Sequence, residues 1–424
     1  MKSNVPLNLA HIKGVLIKSA VKLALATSKL TASLCPSKFP LRVLLASFLL
    51  SMPKLYFVIT SQPRQFTPSP KVSHSFSFVW VGIPQWHYGD EWLLFSNLCG
   101  VHSLSDIARW FYGDWVGKNG FYRPLASISL LADCKLWGER RFGYILTAWL
   151  LHVLATFLFA LLIEAVTGDG DTAVAGVASF ALIWYAPSVV TLTFMSTRPD
   201  ALCAPLALAT LLLGLKWSHC GDPKWLVLAC VMAVMSLWAK EIACVLPLLM
   251  FICALAGGCS EHKPDISRSA MAVFLMSVVV LIWFVAYRSF LPDAIQRHKT
   301  LAMKSERLAT QLYILSIRML PHVSDLPGWL IALPYSLLTV HTVRLLLKMC
   351  LFMVLLVLSW RYAKAVLLLS FLWMVVASLP LIPVRLWSPH YFYLSSFGVH
   401  ALNGAFAVSL LRWLCRFSVK SDSL

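Results

Sequence analysis

The chain has 424 residues, 59% of them hydrophobic and 13% charged, with a mean hydropathy of +0.75. Soluble domains are nearer half apolar and about a quarter charged, so this composition excludes an ordinary soluble enzyme and predicts one bundle of membrane-spanning helices. The net charge of +18 fits loops that face anionic lipid; with no RNA- or DNA-binding motif beside it, it does not argue for nucleic acid as a partner.

Residues 1–40 carry Lys2, Lys13, Lys18, Lys22, Lys29 and Lys38 and no acid. A cleavable transit-like segment would favour Arg, so 1–42 reads instead as a basic cytoplasmic segment. Residues 43–60 form the first span, with Lys54 placed to snorkel, and the basic stretch before it sets the N-terminus inside. Residues 61–141 then form a large first outer loop, rich in interfacial Trp80, Trp86, Trp92, Trp110 and Trp115. Within it Ser103 and Asp106 match a helix capping box, and Leu104, Ile107, Ala108 and Phe111 follow at helical spacing, as in a short amphipathic helix on the membrane surface. Tyr122-Arg123-Pro124-Leu125 opens a second such segment that runs to Trp137-Gly138.

Apolar runs of spanning length follow at about 142–164, 173–194, 199–216, 225–239, 242–257 and 270–289. Pro292, Pro321, Pro327 and Pro334 mark 290–345 as a second outer region with partly embedded helices. Spans at about 346–360, 365–383 and 394–412 complete an all-α, polytopic bundle of about ten, with 413–424 as a short cytoplasmic tail. Lys216, Lys224, Lys263, Arg268, Arg361, Lys364, Arg412, Arg416 and Lys420 then fall inside. Of the eleven cysteines none form a CxxC pair, and most lie in apolar runs where a thiol behaves as a small hydrophobe. Cys99 and Cys134 share the outer loop and could pair. The twelve histidines show no zinc spacing.

This topology collects polar groups on the outer side. Asp90 and Glu91, in WHYGDEWLL (86–94), are the first two acids of the chain. With them come Arg123; Arg198 and Asp200 in STRPD (196–200); Lys240-Glu241 between two apolar runs; and Arg385, His390, Tyr391 and Tyr393 before the last span. Ionisable groups at membrane depth are costly, which makes each a functional candidate. Together they have the parts for transfer from a lipid phosphate: a carboxylate to take a proton from an acceptor hydroxyl, and cations to stabilise a leaving phosphate. Each also has a plainer reading. Asp90 and Glu91 could be a solvated loop pair, Lys240 and Glu241 a helix-to-helix cap, Arg123 and Arg198 headgroup anchors, and Tyr391 and Tyr393 members of an aromatic belt. His152, within a span, is by default a hydrogen-bonded core histidine. His87 with Asp90 and Glu91 offers three metal ligands on one loop, too few to specify a metal.

The residues resemble the multi-spanning GT-C glycosyltransferases, nearest to the protein O-mannosyltransferase-like branch with tetratricopeptide-bearing eukaryotic members and bacterial relatives. GDE (89–91) is similar to the family's acidic pair after the first span. YRPL (122–125), followed by Asp133 and Gly138, is similar to its RPL segment, and TAWLLH (147–152) to the next span. STRPD is similar to its outer turn, AKE (239–241) to its KE, and PHYFYLSSFG (389–398) to its RY-x-YLPS-x-G block. The likeness covers about residues 75–410. The chain departs from the pattern at Glu91, where a second Asp is common, at His390, where Arg is usual, and at Ser396 or its neighbour, where Pro is usual. The tetratricopeptide repeats are missing.

The resemblance implies inverting transfer of a sugar, with a mannose-like hexose favoured, from a polyprenyl-phosphate donor to a hydroxyl of a protein, lipid or glycan on the outer or lumenal face. Asp90 would be the general base and Glu91 its support. Arg123, Arg198, Lys240, His390, Tyr391 and Tyr393 would meet the donor phosphate or lipid, with His152, Asp200 and Glu241 in support. Some members use a divalent metal and others do not. A bacterial inner membrane is favoured, or the endoplasmic reticulum in a eukaryote. Two readings stand beside it: a transporter or flippase of lipid-linked sugars, and a non-catalytic assembly partner of the same fold.

Overall fold

A computed structural model describes residues 39–61, 86–182, 186–258, 263–292, 341–381 and 389–421. The readings of 1–38, of the second outer region across 293–340 and of Arg385 lie outside the described residues, as does the first part of the outer loop. The described chain forms α1 (Phe39–Ser61), α2 (Trp86–Cys99), α3 (Leu104–Ala108), α4 (Pro124–Trp137), α5 (Arg141–Thr167), α6 (Gly170–Leu182) and α7 (Ala186–Thr193). It continues with α8 (Arg198–Cys220), α9 (Pro223–Ala239), α10 (Leu246–Gly257), α11 (Ile266–Phe290), α12 (His341–Tyr362), α13 (Lys364–Ser378) and α14 (Tyr393–Ser421).

The all-α architecture expected from composition is present. Among the described residues, five helical stretches are long and apolar enough to cross a membrane: Arg141–Thr167, Met195–Cys220, Ile266–Phe290, Lys364–Leu381 and His390–Arg416. Four more apolar helices are shorter: Val43–Tyr56, Pro223–Ala239, Glu241–Gly257 and Phe352–Tyr362. These fit an integral multi-pass membrane protein, although the described residues do not show ten full spans. The run at 173–194 shows why. It forms two helices, α6 and α7, and Pro187 sits in the first turn of α7, where its missing N–H costs no hydrogen bond. At the C-terminus the last helix runs to Ser421, past the expected end of the span at 412.

Two local readings within 61–141, the capping box and the helix that follows Arg123, are seen. Ser103 caps α3, its hydroxyl accepting from the Asp106 N–H while the Asp106 carboxylate accepts from the Ser103 N–H, a complete capping box. α4 begins at Pro124 and is closed by Gly138 at φ +56, a backbone region that disfavours any side chain.

The bundle is organised about α5. At 27 residues it is about 40 Å long, more than the ~30 Å hydrocarbon core of a bilayer. It packs on α1, α4, α6 and α8; α8 pairs with α9 and reaches α10 and α11; α14 wedges between α6 and α13 and touches α12. Phe159 and Ile163 of α5, Leu208 of α8, Trp373 of α13 and Phe397 of α14 share one buried cluster. Outward faces are apolar too. Phe274, Leu281, Ile282 and Val285 of α11 are exposed, a pattern suited to lipid rather than water. Lys54, expected to snorkel, is instead 1% exposed and donates to the Ser188 hydroxyl on α7 at 3.3 Å.

In lipid, helices gain little from burying apolar surface against one another and rely on close contact of small residues. A Cβ on Gly404 of α14 would stand 2.7 Å from the Gly176 backbone nitrogen and 2.8 Å from the Thr172 carbonyl oxygen on α6. Both are main-chain atoms that cannot move without moving the helix. Gly404→Ala is therefore expected to push α6 and α14 apart at a cost of about 1–3 kcal/mol. A lowered unfolding midpoint in detergent checks this, with the lipid-facing Ala407→Leu on the same helix as the neutral control.

One end of the bundle carries a small polar lock. Arg412 of α14 donates to Asp169 at 3.0 Å and to Asp171 at 3.3 Å, so a basic residue of the last helix neutralises the acids that follow α5. Burial works against the charge of Asp169, but Arg412 and the Thr172 hydroxyl outweigh it and hold that carboxyl below the usual range.

Candidate functional site

The opposite end carries four ion pairs that are wholly or largely buried. Glu91 lies in the second turn of α2 and is 1% exposed. Its Oε2 is 2.7 Å from the Arg141 guanidinium at the start of α5, and its Oε1 accepts from the Met195 N–H at 2.7 Å. One carboxylate thus ties α2 to two separate segments.

α8 opens with Arg198-Pro199-Asp200. At about 100° per residue, side chains two apart on a helix point to nearly opposite sides. Arg198 turns to Asp133 of α4 at 2.6 Å and also donates to the Ser129 hydroxyl at 3.2 Å and the Tyr144 carbonyl at 2.8 Å. Asp133 accepts in addition from the Thr147 hydroxyl at 2.7 Å. Burial pushes the Asp133 carboxyl up, against the opposing pull of Arg198 and Thr147. Asp200 turns the other way and meets Lys240 Nζ at 2.5 Å, with His390 Nε2 4.0 Å from its second oxygen. An acid in the first turn of α8 also suits the positive end of the helix dipole.

Lys240 is where α9 breaks. Its φ of −159 and ψ of 141 are extended, and a 3-10 turn, Glu241–Val245, follows before α10. Consecutive side chains on extended backbone point to opposite sides, so Lys240 reaches Asp200 while Glu241 reaches Arg123. The Arg123–Glu241 pair is bidentate: Nε donates to Oε2 at 2.8 Å and Nη2 to Oε1. Arg123 also lies 3.9 Å over the Phe121 ring and 5.2 Å from that of Trp115. Tyr391 sets its ring 5.2 Å from Lys240 Nζ and lies tilted against that of His390, ring centres 4.4 Å apart. His152 Nδ1 and the Tyr393 hydroxyl hydrogen-bond at 2.8 Å between α5 and α14.

Glu91, Asp133, Asp200 and Glu241 therefore match Arg141, Arg198, Lys240 and Arg123 one to one. In a dry site an unmatched charge would be far more costly than either member of a pair. Three of the pairs are sealed. In the fourth, the Glu241 side chain is 36% accessible and lines a groove of about 440 Å³. Cys244, Ser277, Val280, Leu281, Trp283, Phe284, Tyr287 and Pro380 complete that groove, whose surface is almost wholly apolar.

The structure thus brings Arg123, Asp200, Lys240, Glu241, His390 and Tyr391 into one cluster that touches the groove through Glu241, and Glu91 with Arg198 into an adjoining set. His152 and Tyr393 pair with each other. Asp90 lies within α2 beside Glu91, and its side chain is outside the described residues. Arg123 and Arg198 sit in buried ion pairs rather than at the surface as headgroup anchors, and Glu91 is enclosed rather than solvated. Arg141 went unnoticed in the sequence, where it reads as an ordinary residue flanking a span. The usable signal was chemical: an acid at the membrane edge needs a cation from elsewhere in the chain. Among the described residues, no three His, Cys, Asp or Glu side chains group so as to hold a metal ion.

No protein-family model and no curated protein matches the chain. A solved structure similar to it is the archaeal oligosaccharyltransferase AglB from Archaeoglobus fulgidus, in complex with an inhibitory peptide and a dolichol-phosphate. The identity is 15% and the TM-score 0.47, over 92% of this chain and 52% of that one, so this chain spans about half the length of that protein. A likeness that distant assigns no reaction, donor or acceptor to this chain.

Proposed function

We propose that the chain is a membrane glycosyltransferase of GT-C type, moving a sugar from a polyprenyl-phosphate donor to an acceptor hydroxyl on the outer or lumenal face. The observation that carries this reading is the meeting of a charge cluster with an apolar groove at Glu241. A donor of this class has the same two parts, a phosphate at one end and a prenyl tail at the other. The groove falls within the ~300–1,000 Å³ usual for ligand sites.

In this reading Asp90 takes the proton of the acceptor hydroxyl as its oxygen attacks the anomeric carbon. The bond from that carbon to the phosphate oxygen breaks, the configuration inverts, and polyprenyl phosphate leaves. Arg123 meets the phosphate by exchanging one of its two bonds with Glu241, the accessible pair. Lys240, His390 and Tyr391 add positive charge and donors at the same end. Glu91 and Arg198 act at one remove, holding α2, α4 and α8 in register. His152 keeps the Tyr393 hydroxyl oriented, and Asp200 holds Lys240. A mannose-like hexose is the first donor to try.

The test uses the purified full chain in proteoliposomes with a panel of labelled polyprenyl-phosphate sugars. Label passing to a peptide, lipid or glycan acceptor is the expected result. Transbilayer movement of the intact donor without product would replace this reading with a flippase. A further arm narrows the groove. Val280→Trp should raise KM for long-chain donors about 10-fold or more and leave a short-chain analogue nearly unaffected. Equal effects on both would detach the groove from the donor tail.

A further inference from the structure

Cys99 is the last residue of α2, and Cys134 lies in the last turn of α4. The two helices pack through Leu94, Leu98, Leu130 and Leu131, with Cys134 against the same cluster. Next to Cys134, Lys135 Nζ donates at 3.3 Å to the carbonyl of Val101, two residues past Cys99, so the helix ends that carry the two cysteines meet, and both cysteines are free. Cys99 is exposed, so a reagent from solution can reach the pair, and a thiol there contributes little to packing. Both belong to the segment between α1 and α5, which the charge distribution places on the outer side, where disulfides persist.

We propose that Cys99 and Cys134 are a redox pair that closes into a disulfide between α2 and α4. The oxidant is a low-molecular-weight disulfide. The Cys99 thiolate attacks one of its sulfurs, forming a mixed disulfide and releasing one thiol. The Cys134 thiolate then attacks the Cys99 sulfur and releases the second thiol. The oxidant gains the two electrons that the cysteines lose, and the two cysteine protons end on the released thiols. The bond staples the helix that carries Asp90 and Glu91 to the helix whose Asp133 holds Arg198. Its closure fixes the spacing between the two arms of the adjoining charge set. The proposal is independent of the transferase reading.

The experiment exposes the full chain, purified in mild detergent, to oxidised glutathione at pH 8. Remaining thiols are blocked with N-ethylmaleimide, and the protein is digested without reductant for mass spectrometry. The expected product is a peptide linked through Cys99 and Cys134 in most of the protein, lost on adding reductant and absent from Cys99→Ser and Cys134→Ser. Cys99 recovered as its glutathione adduct, or both cysteines recovered alkylated, would overturn the proposal. So would a linked peptide that forms only after unfolding in dodecyl sulfate.

Discussion

Asp90→Asn is expected to lower the rate of sugar transfer by about 10²–10⁴-fold while the protein stays folded and inserted. Asparagine keeps the shape of the side chain and its place in α2 but cannot take a proton from the acceptor. The neighbouring carboxylate should behave differently. Glu91 holds Arg141 and the Met195 N–H, so Glu91→Gln leaves a buried guanidinium without its anion and should be read first as lost stability. Two adjacent acids are thereby separated by phenotype: one variant stable and inactive, the other unstable. Single-turnover transfer and an unfolding midpoint, measured on both, decide it. An Asp90→Asn protein that transfers at the wild-type rate removes Asp90 as the base, whatever Glu91 does.

The second large effect is expected at Lys240 and Asp200. Their side chains are each 4% exposed and meet at 2.5 Å. Lys240→Met leaves the Asp200 carboxylate buried with His390, 4.0 Å away, as a weaker neighbour. Breaking such a pair from one side costs about 3–5 kcal/mol, roughly two to nearly four orders of magnitude in the folding equilibrium. Asp200→Leu alone should cost a similar amount by stranding Lys240. The double variant should recover most of the loss, because two apolar side chains of similar volume leave no charge uncompensated. A double-mutant cycle by reversible unfolding in mixed micelles reads the coupling directly. Single variants within about 0.5 kcal/mol of wild type would mean that the pair is not held dry, and the compact charge cluster at the groove end would fall with it. In transfer assays the two variants that lack Lys240 should be impaired, since restoring neutrality does not restore the cation next to Glu241 that the proposed mechanism uses.

How far these sites were legible differs from residue to residue. The capping box at Ser103 and Asp106, the helix opened by Pro124 and closed by Gly138, and the break at Lys240-Glu241 all depend on neighbours within a few positions. Pattern alone therefore located them. The apolar run at 173–194 reads as one span, whereas the chain forms two helices, and Pro187 in the first turn of the second is the local signal for where that helix starts. Lys54 was assigned to the interface because a lysine in an apolar run usually reaches for water; its burial against Ser188 depends on α7 packing beside α1.

By itself the sequence determined the class of the molecule: an all-α chain with helices suited to lipid, a set of acids and bases between its apolar runs, and an acidic pair beyond the first apolar helix. These follow from hydropathy, helical periodicity and capping, which act over a turn or two and need no knowledge of the rest of the fold. Only the tertiary structure decided which cation holds which acid. Arg123 meets Glu241 across 118 residues, and Lys240 meets Asp200 across 40. Local patterning is blind to such partners. In a low-dielectric site, though, a charge persists only where folding delivers its opposite, so the packing of α2, α4, α5, α8 and α9 sets the chemistry of each group.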